Sequence, residues 1–460
     1  MAELRLSVIA ERIKGEILQG NPSLLVKGFQ TDSRQIKPGE LFFALIAERN
    51  GHSFVPHAEK QGAAGAVVSQ PVTPPNSKFA IIRVENTLQA LQELAKNVLC
   101  DHDIKVIGIT GSIGKTITKE FTYSFLSKKF KVLKSEKSYN NHIGLPLSLL
   151  RLTKQHQLAV LEMGMNHPGE IASLTKIAPP DVALITNIRP VHLQYFNGIE
   201  EIAKAKKEIL DGLKNQGTAI LNGDDPLVIE ISKNWKGRKI FFGSSESCEI
   251  QVLDYKKKGF EGISLDFAYG KTQEHITLPF FYESYLYNFL AAAAIAYSFS
   301  IPFDTIRSEI NNLKPLPMRG TLFHLGKDIY LIDDSYNSNP ASLKSALKSA
   351  KDLPAKRNVA VLGDMLELGP KEIDYHIEAG QCVKALGWDV LITVGPLSRH
   401  MAEGALRSGM SKDQIFSYPD SEEAAAELLS FLKEGDLVLV KGSRKMKTEK
   451  IVEKLLQKGE

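Results

Sequence analysis

Cysteine is scarce in this chain. Cys100, Cys248 and Cys382 are the only three in 460 residues, and their spacing matches neither a zinc cluster nor a redox pair. A disulfide framework is thereby excluded, and structural thiols in a reducing compartment are expected. Long apolar runs are missing as well: the longest, NFLAAAAIAY from Asn288, is about half the roughly 20 residues that a bilayer requires. The opening stretch MAELRLSVIAERIKGE is charged throughout, unlike a signal peptide. Neither sign of charge dominates, since 57 basic and 53 acidic residues leave a net charge of +4 and are interleaved along the chain. No basic face therefore points to nucleic acid, and no acidic tail points to disorder. Tandem repeats and low-complexity segments are absent. The expectation is a cytoplasmic protein acting on small molecules, with no nucleic-acid partner and no membrane insertion.

What is present is length and apolar content. At 460 residues and 43% apolar, the chain exceeds what one core organises, so two to three domains are expected. Residues 1–84 open with a helical pattern (Leu6, Ile9, Ile13, Ile17), followed by strand-like ELFFAL, GAVVS and FAIIRV, the last after the loop PVTPPNSK. From 85 to 313, a helix capped by Asn86 leads into alternating β and α signals, then into β-rich EIQVLDY, ISLDFAY and HITLPF, read as an antiparallel appendage. A second alternation fills 314–460 after the linker-like NNLKPLPMRG. The fold class expected is α/β in three domains: a small N-terminal α/β unit, a central parallel-sheet domain with a P-loop, and a Rossmann-like doubly wound C-terminal domain.

Polar residues that directly follow apolar strand runs deserve first inspection, because ligands of open parallel sheets sit beyond the carboxyl ends of the strands. In VIGITGSIGKTITKE (106–120) an apolar run breaks into Gly111, Ser112, Gly114, Lys115 and Thr116 and continues as a helix. This is the order of a phosphate loop, although Ile109 occupies the place where a Walker A loop has its first glycine. Backbone N–H groups would cradle phosphates, Lys115 would neutralise charge and the Thr116 hydroxyl would suit Mg²⁺; the plain alternative is an ordinary βα turn. Glu162 ends LAVLEMG, as a magnesium-serving acid or a solvated strand end. Asn187 and His192 end DVALITNIRPVH, and neither is specific alone. In EEIAKAKKEIL, Ile202 and Ile209 mark the buried face, and only Lys206 of the three lysines shares it. A buried lysine snorkels, pairs with an acid or loses its charge, for instance as a carbamate. IYLIDDSYNSNP offers Asp333, Asp334, Asn337 and Asn339 as binding residues or as turn and cap formers. Asp364, Lys441, Ser443 and Arg444 extend the polar rim.

Together these stretches resemble the Mur ligases, the ATP-dependent amide-forming enzymes of bacterial cell-wall synthesis. The resemblance runs through the chain in order: TDSRQIKPGELFFAL, NGHSF, TGSIGKTITKE, NNHIGLPLSLL, EMGMNHPGEI, TNIRPVH, AKAKKEI, LNGDD, MRG, DDSYNSNP, LGDMLELG and LVKGSRKMKTEKIV. It implies that ATP is the cofactor, held through Gly111, Ser112, Gly114, Lys115 and Thr116. It further implies two Mg²⁺ ions, one served by Thr116 and Glu162 and the other by His192 and a carbamylated Lys206. Asn288 would touch adenine, Arg319 the γ-phosphate and Asp334 the ribose. Thr31, Asp32, Ser33 and Arg34 would shape a uridine-nucleotide pocket in the N-terminal domain, while Asn140, Asn141, Asn337 and Asn339 would line the substrate region. The partners implied are UDP-N-acetylmuramoyl-tripeptide and D-alanyl-D-alanine, joined through an acyl phosphate by a bacterial cytoplasmic monomer. Ser284 and Tyr285 stand where the family often carries His-Asn, and Ala47 and Asn50 where it commonly carries Gly and Asp. The tripeptide-forming and folate-type ligases fit less well, since no Asp-Asn-Pro-Arg-like box is present. A P-loop switch fits least, since there is no guanine box.

Overall fold

The computed structural model describes residues 3–74 and 76–459, so Pro75 of the loop PVTPPNSK lies outside the described residues. Three large sheets succeed one another along the chain. The first has five strands, with Glu16–Gln19 antiparallel at one edge of the otherwise parallel Ala80–Arg83, Gly65–Val68, Glu40–Phe43 and Gly28–Gln30. The second has nine. Its parallel part runs Val132–Lys134, Leu158–Glu162, Lys105–Thr110, Val182–Ile185, Thr218–Asn222, Arg238–Gly243 and Ile250–Lys257. Ile263–Tyr269 and Thr272–Leu278 then add antiparallel. The β-rich stretch is therefore a continuation of the central sheet, because Ile250–Lys257 pairs with Arg238–Gly243 on one side and with Ile263–Tyr269 on the other. The third sheet has six strands, parallel except for the edge strand Thr321–His324.

The central strands read as apolar runs because both of their faces are covered. Ile107, Ile109, Val160, Leu184 and Ile220 pack with the helices Lys115–Leu126 and Glu283–Ser298 in a cluster that continues into Leu343, Leu347 and Leu439 of the C-terminal part. Val106, Ala159, Leu161, Ala183, Ile185 and Leu221 face the other way, packing with the helix Thr87–Cys100 and with Leu6 and Ile9 of the N-terminal part. Asn86 caps Thr87–Cys100 by accepting from the Gln89 N–H.

The first helix ends earlier than its periodicity suggests. It spans Leu6–Arg12, and Ile17 lies in the strand Glu16–Gln19. The chain turns at Lys14, which has φ 52°, and Gly15 then packs on Ile82, where a Cβ would come within 2.5 Å. The three cysteines are free thiols, and burial together with nearby carboxylates pushes the Cys248 thiol up to about 12. Among the described residues, no helix is long and apolar enough to cross a membrane.

Candidate active site

The strand Lys105–Thr110 delivers its carboxyl end into the glycine loop, and Gly114 precedes the helix Lys115–Leu126. Gly111 has φ 144° and Gly114 φ 90°; a Cβ at the first would lie 1.9 Å from Thr186 Oγ1 and at the second 2.2 Å from Asn288 Oδ1. Both positions thus require glycine for backbone conformation and for close approach. Thr186 and Asn187, ending the neighbouring strand, brace the loop. Asn187 accepts from the Ile113 N–H at 3.1 Å and donates to the Ile113 carbonyl at 3.0 Å, and the Thr186 hydroxyl donates to the same carbonyl at 2.7 Å. With its geometry fixed from behind, the loop is organised to receive an anion at a helix N-terminus.

Lys115 donates to the Gly111 carbonyl at 2.7 Å. Loss of solvent lowers its ammonium pKa, opposed by nearby Glu162 and reinforced by Arg319. The Thr116 hydroxyl donates to Glu162 at 3.0 Å, and Asn140 donates to the other Glu162 oxygen at 2.8 Å. Hydroxyl and carboxylate oxygens of this kind form a donor set that fits Mg²⁺ beside bound phosphates. Among the described residues, no three His, Cys, Asp or Glu side chains converge as a self-sufficient metal cluster. Lys206 is 2% exposed, and its ammonium pKa falls well below the ordinary value through burial and the nearby Lys115 charge, with no carboxylate among the described residues to offset this. It does not reach the wall of the cleft. His192, at φ 55°, places Nδ1 2.8 Å from Glu367, so the two parts of the chain meet there. That hydrogen bond and the nearby Lys445 draw the Glu367 carboxyl below its ordinary value.

A cleft of about 670 Å³ runs between the carboxyl ends of the central and C-terminal strands. Lys115, Thr116, Glu162, His192, Asn140, Asn288, Arg319, Asp334, Asn337 and Asn339 all line it, as do Ser112 and Gly114. Asn141 does not, because its side chain accepts from the Ile143 and Gly144 N–H groups and starts the helix Gly144–Leu149. Thr31, Asp32, Ser33 and Arg34 also lie outside it, in the turn that follows the N-terminal strand Gly28–Gln30. There Arg34 forks onto Asp32 at 2.9 Å through two bonds, holding that carboxyl well below the usual range, and Ser33 is buried against His57.

Several expected binders are already engaged. Lys441 donates to Asp334 at 2.7 Å, while burial pushes the Asp334 carboxyl up against that pull. Asn339 and Ser342 form a capping box on the helix Pro340–Lys351. Asn288 accepts weakly from Thr118 at 3.3 Å, and its buried Nδ2 has no partner among the described residues, which leaves a donor for a ligand. Tyr285 takes no part as an amide would: it stacks on Phe280 at 4.4 Å and donates to the Arg319 carbonyl at 2.7 Å, gripping the linker.

Sequence reasoning missed three contributors. Tyr336 supports the Arg319 guanidinium 4.0 Å above its ring and donates to Ser138 at 3.1 Å across the cleft. Lys119, fully buried, donates to the Ser135 carbonyl at 2.8 Å and to that of Lys137, shaping the segment that presents Ser138 and Asn140. Glu367 reaches His192. Tyr336 and Glu367 fell inside quoted motifs, but their partners lie 198 and 175 residues away, and only Lys119, four residues after Lys115 on one helix face, gave a local signal.

Comparison with known proteins agrees with this architecture. Three family models match in series: "Mur ligase family, catalytic domain" over residues 25–98, "Mur ligase middle domain" over 109–296 and "Mur ligase, glutamate ligase domain" over 318–444. The UDP-N-acetylmuramoyl-tripeptide–D-alanyl-D-alanine ligase of Bacillus subtilis is 36% identical over 98% of this chain and 97% of its own length. A crystal structure of MurF from Acinetobacter baumannii superposes with a TM-score of 0.90 at 28% identity, covering 99% of both chains. MurF from Thermotoga maritima in complex with ADP superposes at 0.80, with 29% identity, over 94% of this chain and 98% of that one. From the three matched segments and the end-to-end similarity to these proteins, the chain belongs to the Mur ligase family.

Proposed function

We propose that this protein is an ATP-dependent ligase that joins D-alanyl-D-alanine to UDP-N-acetylmuramoyl-tripeptide, yielding ADP and phosphate. The observation that carries the reading is the cleft itself, with a braced phosphate loop on one wall and the C-terminal strand ends on the other, bridged by Tyr336–Ser138 and His192–Glu367. In this reading residues 1–84 receive the uridine nucleotide, using Thr31, Asp32, Ser33 and Arg34. Residues 85–313 bind ATP, and 314–460 bring the amine. The protein acts in the bacterial cytoplasm as a monomer.

The glycine-loop N–H groups and Lys115 hold the ATP phosphates, with Arg319 beside Thr116 adding positive charge. The tripeptide carboxylate forms a bond to the γ-phosphorus as the bond to ADP breaks. The dipeptide amine, free of its extra proton, then bonds to the acyl carbon as phosphate leaves, and the further N–H proton it sheds departs with the phosphate. Thr116 and Glu162 would hold one Mg²⁺, and His192 with a carbamylated Lys206 a second; bound there, the ions neutralise phosphate charge. Support for the modified lysine is its burial without a carboxylate: an unpaired ammonium is costly there, and a neutral amine is the form that reacts with CO₂. Water must be kept from the acyl phosphate, which the two bridges across the cleft favour.

The test is phosphate release by the purified protein with ATP and Mg²⁺, with and without each substrate, using free D-glutamate and lysine as competing amines. Release that requires both the nucleotide tripeptide and the dipeptide is expected. Release indifferent to both would leave a bare ATPase and end the reading.

A further inference from the structure

Four carboxylates line the cleft: Glu162, Asp224, Asp334 and Glu367. Three are committed. Glu162 is held by Thr116 and Asn140 beside the phosphate loop. Asp224 accepts from the Tyr287 hydroxyl, from both the backbone N–H and the hydroxyl of Ser244, and from the Ser245 N–H. Asp334 is paired with Lys441. Glu367 differs: its only side-chain partner among the described residues is the His192 imidazole, and its side chain keeps 47% of its exposure. It projects from a backbone with φ 64°, a conformation that a glutamate seldom adopts, after the strand Arg357–Gly363. On the same rim Lys445 is exposed and has no ion pair among the described residues, whereas its neighbour Arg444 is bound to Glu449 at 3.0 Å.

A free dipeptide is a zwitterion near neutral pH, with an ammonium of ordinary pKa about 7.7–8.0 at one end and a carboxylate at the other. The wall that presents it must offer an anion and a cation with bonding capacity to spare, as Glu367 has with one side-chain partner, His192, and Lys445 with no ion pair among the described residues. We propose that Glu367 holds the ammonium of the incoming dipeptide and Lys445 its carboxylate, making this pair the amine-substrate subsite. The inference rests on the ligase reading above. It assigns to the C-terminal wall a recognition task that Asp334 and Asn339, engaged within the fold, do not perform. Because Glu367 also touches His192 on the phosphate wall, the ammonium is received where the two walls meet, next to the acyl group that the neutral amine attacks once the ammonium has released a proton to solvent.

The test uses the full-length protein saturated with ADP, Mg²⁺ and UDP-N-acetylmuramoyl-tripeptide. Binding of D-alanyl-D-alanine is followed by calorimetry, with N-acetyl-D-alanyl-D-alanine and D-alanyl-D-alanine amide as probes that each lack one charge. Steady-state KM values for all three substrates are measured alongside. E367Q should weaken the dipeptide by about 10- to 100-fold, the loss of a hydrogen bond between charged groups, and raise its KM without moving those for ATP and the nucleotide tripeptide. It should add nothing to the loss already caused by N-acetylation. K445M should behave likewise toward the amide. If E367Q weakens free and acetylated dipeptide equally, or shifts all three KM values together, Glu367 is a contact between domains and the proposal falls. If the wild-type protein consumes no ATP with all substrates present, the ligase reading falls, and the binding arm still decides the subsite.

Discussion

The two walls of the cleft use the same vocabulary, Asp, Asn, Lys and Ser at the carboxyl ends of parallel strands, but they spend their hydrogen-bonding capacity differently. On the central side, key groups are left in need of a partner: the Asn288 amide, at the wall, has an unpartnered donor, and Lys206, behind the wall, is buried without a counter-charge among the described residues. On the C-terminal wall, most candidates satisfy one another, Asp334 through Lys441 and Asn339 through the capping box. A strand-end polar residue is therefore functional or structural according to what already holds it, and residue type alone does not decide.

Substitutions can break this contrast. The largest effect is expected from Asp334→Ala, which strands the nearly buried Lys441 ammonium and should cost about 3–5 kcal/mol in urea unfolding. Adding Lys441→Met should recover much of it, and a loss that persists would mean that the pair is not what holds this wall. On the other wall, Lys115→Met should lower turnover by about 10²- to 10³-fold while the melting temperature stays put. A large drop in melting temperature would make Lys115 structural. His376 supplies a pH test of the C-terminal part. Buried, it accepts from the Met365 N–H and donates to the Glu372 carbonyl, and burial lowers its pKa below the ordinary 6.5. The unfolded chain therefore takes up a proton that the fold refuses. Stability should be full above about pH 6.5 and fall below it, by up to about 1.4 kcal/mol per pH unit until the folded pKa is reached. His376→Gln should flatten that slope, and an unchanged slope would assign the acid sensitivity elsewhere. The smallest effect is Asn339→Ala, about 1 kcal/mol of stability for a lost cap. A larger loss in dipeptide KM than in stability would return Asn339 to the list of binders.

Much of this was legible in the sequence. Strands covered on both faces announce themselves, as in LAVLE and DLVLVK, whose residues are all buried. Short or partly polar strands do not: Val132–Lys134, Arg238–Gly243, Thr321–His324 and Ile415–Tyr418 pass unnoticed, as does the helix Arg399–Arg407. The phosphate loop could be found because its glycines, lysine and threonine are contiguous. Commitments such as Asp334 to Lys441, 107 residues apart, are invisible to any local pattern. Lys206 lies between these cases. Helical periodicity predicts its burial, but the absence of a partner becomes visible only in three dimensions.

The central sheet packs toward the C-terminal part with one set of side chains and toward the N-terminal part with the alternate set. Adjacent residues thus answer to opposite ends of the protein. Trimming Val160 should loosen packing toward the C-terminal part, proposed above to bring the amine, whereas trimming Leu161, one step along the chain, should loosen packing toward the N-terminal part, proposed to receive the nucleotide. Conditional alleles within a single strand would then sort by odd and even position, and each parity class would fail for its own substrate.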